Sequence, residues 1–489
     1  MPRLDELGEA LAPLLGGFLP RQRWYAGNEQ PADVAVTTLD AREGDPLLVW
    51  LLVDALDADG GRATYQIVLG GRPAPSDSEF LQGKARVTLG EVDGWIYYDA
   101  LVDPDLALLV LEKVAPDESA EVARPLVVEQ SNTSVVYDER LILKLFRRVY
   151  QEPNPDVEIT RLLGERGFPH VVPQLAELRL EAGRLAQPWP ERPGAEGAKS
   201  GEHRYPSLDH VTSPHASFEG SDLAVVRQYL LGSTDAWELA HTSLRDLLNT
   251  RMPPDEAGGD FGPEALTLGD VTARLHLAMA EVFGTEPGSP KDWLDGFRAQ
   301  LERLPDVAAT TGTPVTEVVD AAAVDAALAA LADVADPGQA TRIHGDLHLA
   351  QMLLADPGWF VLDFEGEPVR PVAERVRASS PLRDVAGMVR SFHYAARTGL
   401  AERGRDVDPE LVDLAGQWES RAAGEFWRGY QSVSGIDQLL PDPAADRESL
   451  LRAFELDKAI YEIIYELSHR PDWVDIPASA VRRTLALVA

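Results

Sequence analysis

Between Ile343 and Glu367 two polar clusters are set into apolar surroundings, and no other stretch restricts what this chain can become as tightly. The first, His344-Gly345-Asp346-Leu347-His348-Leu349-Ala350-Gln351, runs into Met352-Leu353-Leu354; the second, Asp363-Phe364-Glu365-Gly366-Glu367, follows Trp359-Phe360-Val361-Leu362. Short apolar runs bounded by polar residues read as strands. Each cluster is therefore expected on a loop at a strand edge, where side chains can reach a ligand.

Phosphoryl transfer asks for a carboxylate that accepts the proton of the attacking hydroxyl, and for ligands to the magnesium that bridges the β- and γ-phosphates. Asp346 is the candidate base. Gln351 stands five residues later, the spacing of base and metal-binding Asn in the H-R-D-x-x-x-x-N loop of protein kinases, and Asp363 precedes Phe as in D-F-G. Gln351 and Asp363 are thus the expected magnesium ligands. Simple turn or cap roles would make this joint spacing a coincidence. His344 is expected to brace the loop by hydrogen bonding, and His348 to pack it. Metal-dependent hydrolysis by His344, Asp346 and His348 is a weaker reading, because it gives Gln351 no task.

A nucleotide also needs a cation for its α- and β-phosphates, with a carboxylate to hold that cation. Lys144, in the apolar strand Leu141-Ile142-Leu143-Lys144-Leu145-Phe146, is the candidate, since strands rarely bury Lys without a partner. Glu158, in the helical pattern from Pro155 to Gly167, is the expected partner, with Asp156 and Glu152 as alternatives. Upstream, Ser131, Asn132, Thr133 and Ser134 lie between two strands, where hydroxyls and main-chain N–H groups could cradle phosphates.

With 489 residues the chain exceeds one ordinary core of about 100 to 200 residues. Strand-like segments run from Val34 to about Leu109 (VAVTTL, LLVWLLV, ATYQIVL, WIYYDALV) and again from about Arg124 to Leu180, with LVVEQ, SVVYD and LILKLF; LAVVRQY follows at Leu223 to Tyr229. Beyond that, the pattern is mainly helical. A Pro-, Gly- and Ser-rich stretch near 189–220 reads as a mobile surface insertion. Arg21-Gln22-Arg23-Trp24-Tyr25-Ala26-Gly27 is expected to anchor the first helix on the sheet by packing alone. The expected division is 1–115, 116–232 and 233–489.

Asp plus Glu number 80 against 45 Lys plus Arg, a net charge of −35 that would be repelled by a nucleic-acid backbone or an anionic membrane. Neither is expected as a partner. The absence of cysteine excludes disulfides, thiolate zinc sites and a cysteine nucleophile. An amphipathic start, Met1 to Leu19, and no run near the roughly 18 apolar residues of a span lead to the expectation of a cytoplasmic protein.

Several segments resemble the maltokinases of actinobacteria, relatives of aminoglycoside phosphotransferases and glucosamine kinases in the kinase-like superfamily. They are H-G-D-L-H-L-A-Q at His344 to Gln351, L-D-F-E-G-E-P at Leu362 to Pro368, and S-P-L-R-D-V-A-G-M-V-R-S-F at Ser380 to Phe392. E-L-D-K-A-I-Y-E-I-I-Y-E at Glu455 to Glu466, R-P-D-W at Arg470 to Trp473 and R-Q-R-W-Y-A-G complete the set. Ala350 departs from the Gly usual at its position. The resemblance implies an α+β, bilobal protein-kinase-like fold behind a β-rich N-terminal cap, with ATP and Mg2+ as cofactors. It implies phosphorylation of a small sugar, maltose giving maltose 1-phosphate for α-glucan synthesis, in association with trehalose and maltose pathway enzymes. Glucosamine or an aminoglycoside is the alternative acceptor, and a pseudokinase-like binding module would waste the filled catalytic positions. Acceptor contacts are expected on the helical lobe, from Arg383, Asp384, Arg390 and Tyr394 and from Lys458, Tyr461, Tyr465 and Trp473.

Overall fold

A computed structural model describes residues 4–488 apart from 28, 59, 75–80, 82, 84, 127–131, 182–183, 186–217, 219, 313–317, 369 and 405–406. Two compact units divide the chain: residues 1–161 with 172–231, and residues 162–171 with 232–489. Nearly all of the insertion near 189–220, the bulk of the LVVEQ strand and Ser131 lie outside the described residues.

In the first unit, α1 (Leu4–Phe18) buries Leu7, Leu11, Leu15 and Phe18, one helical stripe, on an antiparallel sheet. That sheet holds β1 (Asp33–Arg42), β2 (Leu47–Leu56), β3 (Arg62–Pro73), β4 (Thr88–Val92) and β5 (Trp95–Asp99) in the order β1-β2-β3-β5-β4. The run LLVWLLV is apolar throughout because both faces of β2 are covered. Leu47, Val49, Leu51 and Val53 face the α1 side, whereas Leu48, Trp50 and Leu52 join a second core with α2 (Pro104–Val114). The strand expected to continue to about Leu109 stops at Asp99, whose carboxylate accepts the Leu101 N–H. Asp103 then caps α2, with Pro104 in its first turn.

A second sheet contains β6 (Ala123–Pro125), β7 (Thr133–Tyr137), β8 (Leu141–Leu145), β10 (Gln174–Glu181), β11 (Arg184–Leu185) and β12 (Asp222–Gln228), ordered β11-β10-β12-β8-β7-β6. The short β9 (Arg148–Val149) crosses back to pair with β3. Leu143, Leu145, Leu178 and Val226 enter the same core as Trp50 and Leu106, so the two sheets share their interior. Helix α3 (Pro155–Glu165) begins at Asn154, whose side chain accepts the Asp156 N–H at 2.8 Å.

The second unit is mainly helical: α4 (Ala236–Thr250), α5 (Gly262–Phe283), α6 (Pro290–Thr311), α7 (Ala321–Ala329), α8 (Leu382–Ala401), α9 (Pro409–Ser432), α10 (Ala444–His469) and α11 (Asp475–Val488). Among them sits a three-stranded sheet of β13 (Thr234–Asp235), β16 (Met352–Ala355) and β17 (Gly358–Val361), while β14 (Glu286–Pro287) pairs with β15 (Gln339–Ala340). Helices α5 and α9 pack backbone to backbone, because a Cβ on Gly269 would overlap the Phe426 carbonyl and one on Gly429 the Leu266 carbonyl. No helix among the described residues is long and apolar enough to cross a membrane.

Candidate active site

The β16–β17 hairpin puts both polar clusters at one mouth. Met352 pairs with Val361, and the Leu362 N–H donates to the Gln351 carbonyl at 2.9 Å, so the residues just outside the hairpin become neighbours. Gln351 Nε2 lies 3.4 Å from Asp363 Oδ2. Asp363 itself sits at φ 61°, a left-handed conformation that Asp tolerates better than most residues. An amide oxygen and a carboxylate brought together in this way are the hard donors that magnesium takes, so the two residues fit the ion.

Asp346 stands on a loop held by main-chain contacts. The His344 and Gly345 N–H groups donate to Asp384 Oδ2 and Oδ1, both at 2.8 Å. His344 Nε2 contacts the Leu362 carbonyl at 2.8 Å, leaving Nδ1 to accept the Asp346 N–H at 3.3 Å. Thus His344 braces the base loop against the loop of Asp363. Asp384, expected among the acceptor contacts, is corrected by its surroundings: it is 1% exposed and spends its oxygens on the loop and on His276 Nε2 at 3.1 Å. His276 in turn meets the Tyr430 hydroxyl at 2.7 Å. Burial pushes the Asp384 carboxyl up, but these hydrogen bonds hold it below its ordinary value.

Lys458, from α10, reaches Asp346 Oδ1 at 2.7 Å and Glu367 Oε1 at 2.9 Å. Glu367 also pairs with Arg383 at 2.9 Å and with Arg370, and Arg370 continues to Asp457 at 3.0 Å. A chain of alternating charge therefore ends on the candidate base. Burial pushes the Asp346 carboxyl up, yet Lys458 and His348 together hold it below the ordinary carboxylate range. Glu367 is also held below its ordinary value, burial being overcome by Lys458, Arg383 and Arg370. Sequence spacing assigned no role to Glu367, the last carboxylate of the D-F-E-G-E-P segment.

Past Lys458, α8 and α10 present a mixed aromatic and polar face. The Lys458 ammonium lies 4.7 Å from the centre of the Tyr461 ring, which is 7% exposed; that burial corrects the expectation of Tyr461 as an acceptor contact. Tyr394 donates to Glu466 and stacks on Trp473 with ring centres 6.4 Å apart, while the Arg470 guanidinium covers Trp473 at 4.9 Å. Tyr465 stacks on His469 at 4.4 Å. Arg390, expected at the acceptor, is 2% exposed and pairs with Glu462 between the two helices. That burial corrects its assignment. Trp473, by contrast, is 37% exposed.

In the first unit, Lys144 faces Asp156 Oδ2 at 3.2 Å, and Arg227 shares that carboxylate at 3.1 Å. Asp156, the alternative to Glu158, thus supplies a carboxylate to the lysine. Glu158 projects roughly 200° further round α3. Ser134 is Lys144's direct cross-strand partner, so both project from one face of the sheet, and the Thr133 hydroxyl accepts from Arg147 at 2.8 Å. Asn132, half-buried, immediately precedes β7.

Residues 18–103 match the maltokinase N-terminal cap domain, and residues 263–408 match the phosphotransferase enzyme family. A glucosamine kinase from Streptacidiphilus jiangxiensis is 29% identical over 377 residues, 76% of each chain. Another, from Mycolicibacterium smegmatis (strain ATCC 700084 / mc(2)155), is 28% identical over 372 residues, 74% of this chain and 80% of that protein. The structure of a glucosamine kinase in complex with glucosamine, ADP and inorganic phosphate shares the fold, with a TM-score of 0.61 and 21% identity across 99% of both chains. A segment matching the maltokinase cap thus precedes one matching the phosphotransferase enzyme family, and the chain is an ATP-dependent phosphotransferase that acts on a hydroxyl acceptor.

Proposed function

We propose that the enzyme transfers the γ-phosphate of ATP to the anomeric hydroxyl of maltose, and that its product feeds α-glucan synthesis. The observation that carries the choice of a neutral sugar is the state of the carboxylates beside the aromatic face. Glu462 is held by Arg390, Glu466 by Tyr394 and Arg470, and Glu367 by Lys458, Arg383 and Arg370. An ammonium on the acceptor would compete with these cations, whereas hydroxyls and the partly exposed rings of Tyr394, Tyr465 and Trp473 suit an uncharged sugar. The face extends about 12 Å along α10 from Lys458 to Glu466, which favours more than one ring. Glucosamine is the second reading, favoured by the names of the two relatives.

In this reading Asp346 orients the attacking hydroxyl and takes its proton. Gln351 and Asp363 would hold magnesium, which supplies charge neutralisation at the β- and γ-phosphates when bound. Lys144, steadied by Asp156, would hold the α- and β-phosphates, with Asn132, Thr133 and Ser134 nearby in sequence. Catalysis then rests on positioning and fixed charge. Residues 1–115 would act as the cap, 116–232 as the nucleotide lobe and 233–489 as the acceptor lobe of a cytoplasmic enzyme.

Replacing Asp346 by Asn should remove turnover while ADP affinity, followed by calorimetry, stays within about twofold. An Asp346→Asn enzyme turning over at near-normal rate would sink the role. For the acceptor, ADP release across a panel of sugars should be fastest with maltose; a panel led by glucosamine would transfer the assignment to the second reading.

A further inference from the structure

Arg147, two residues beyond β8, carries a positive charge into the core of the first unit at 1% exposure. Its Nη2 pairs with Asp99 at the end of β5, its guanidinium lies 5.2 Å from the centre of the Trp24 ring, and its Nε donates to the Thr133 hydroxyl at 2.8 Å. Trp24 and Asp99 belong to the segment that matches the cap domain, whereas Thr133 opens β7 beside the residues assigned to the phosphates. Burying a cation is unfavourable unless it is well paired, and packing alone could have been met by an apolar residue. Arg147 instead joins three elements that share no strand pairing. The same corner is fixed a second way by Gln66 of β3, fully buried, which accepts from the Trp50 indole at 3.0 Å and donates to the Phe146 and Leu223 carbonyls. Those carbonyls flank the exit of β8 and the start of β12, the two strands on which Lys144 pairs with Val225.

We infer that Arg147 is a positioning residue for nucleotide binding, through which the cap holds Thr133 and the exit of β8 in the arrangement that receives the phosphates. The inference rests on the reading of Lys144 and its neighbours as the nucleotide's contacts. It gives the R-Q-R-W-Y-A-G segment a task besides packing, since Trp24 provides the flat face on which the guanidinium lies.

The test uses the full chain and measures KM for ATP, KM for the acceptor, calorimetric affinity for ADP with magnesium, and the melting temperature. Thr133→Val, which deletes only the hydroxyl, should raise KM for ATP about tenfold, with the acceptor KM unchanged at saturating ATP, and Thr133→Ser should restore it. Asp99→Asn, placed in the cap, should raise KM for ATP in the same way. The double variant Asp99→Asn/Thr133→Val should bind ATP no worse than the weaker single variant, because both cut one connection. Independent, multiplying effects would show that Thr133 meets the nucleotide without Arg147 and would overturn the inference. So would a lowered melting temperature with both KM values intact, the signature of a purely structural pair. Lys144→Met separates the two layers: if ADP still binds, the reading of Lys144 falls and the inference with it. If ADP binding is lost there while Asp99→Asn and Thr133→Val bind normally, the inference alone falls.

Discussion

Lys458 and Asp346 meet at 2.7 Å although 112 residues separate them in the chain, and their contact sets the charge state of the base. Lys458, Glu367 and His348 surround the Asp346 carboxyl; burial raises it, and Lys458 with His348 brings it down. A base lowered in this way is ionised throughout the working range but accepts a proton weakly, so its first duty is to orient the hydroxyl. Asp346 and Glu367 both titrate below their ordinary values. Their stabilisation is therefore complete above the ordinary carboxylate range and is lost as pH falls through the lowered values. Removing the ammonium with Lys458→Met should raise the Asp346 value, moving the acid limb of the kcat profile to higher pH while lowering the maximum. An acid limb that stays in place would show that Asp346 is not the group limiting turnover.

At the scale of elements, the base loop owes its position to small residues on helices. A Cβ on Gly387 of α8 would stand 2.5 Å from the Leu347 carbonyl, so the loop lies directly on the helix backbone. The Gly269 and Gly429 contacts bring α5 against α9, where His276 and Tyr430 join to support Asp384. We expect Gly387→Ala to destabilise the fold by about 1–3 kcal/mol and to lower kcat by displacing Asp346, with ADP affinity retained. Unchanged kcat would mean that the loop tolerates the shift. Strands with two covered faces, such as β2, were plain in the sequence because apolar character is continuous there. Helix α2 was less plain: Asp103 and Pro104 mark its start, but the apolar residues from Leu106 to Leu111 also fit a continuation of the strand-like run before them. His276 also gave no signal: a single histidine on an apolar helix face looks the same whether it supports a loop or fills space.

Across the whole molecule, what the sequence made legible was local: the hairpin that joins Gln351 to Asp363, the order of strand-rich and helical parts, and Lys144 in its strand. Contacts made by long-range folding stayed hidden. Spacing could not choose between Asp156 and Glu158 for Lys144, nor show that Asp384 and Arg390 are buried beneath the face they were expected to form. Those burials, with that of Tyr461, leave Lys458, Tyr394, Tyr465 and Trp473 as the proposed acceptor face. The most direct measurement is a competition: the enzyme is incubated with ATP, magnesium and equal concentrations of maltose and glucosamine, and the phosphorylated product is identified by phosphorus and carbon NMR. The account predicts phosphate on the anomeric oxygen of maltose as the main product. Phosphate carried only by glucosamine, with maltose untouched, would contradict it.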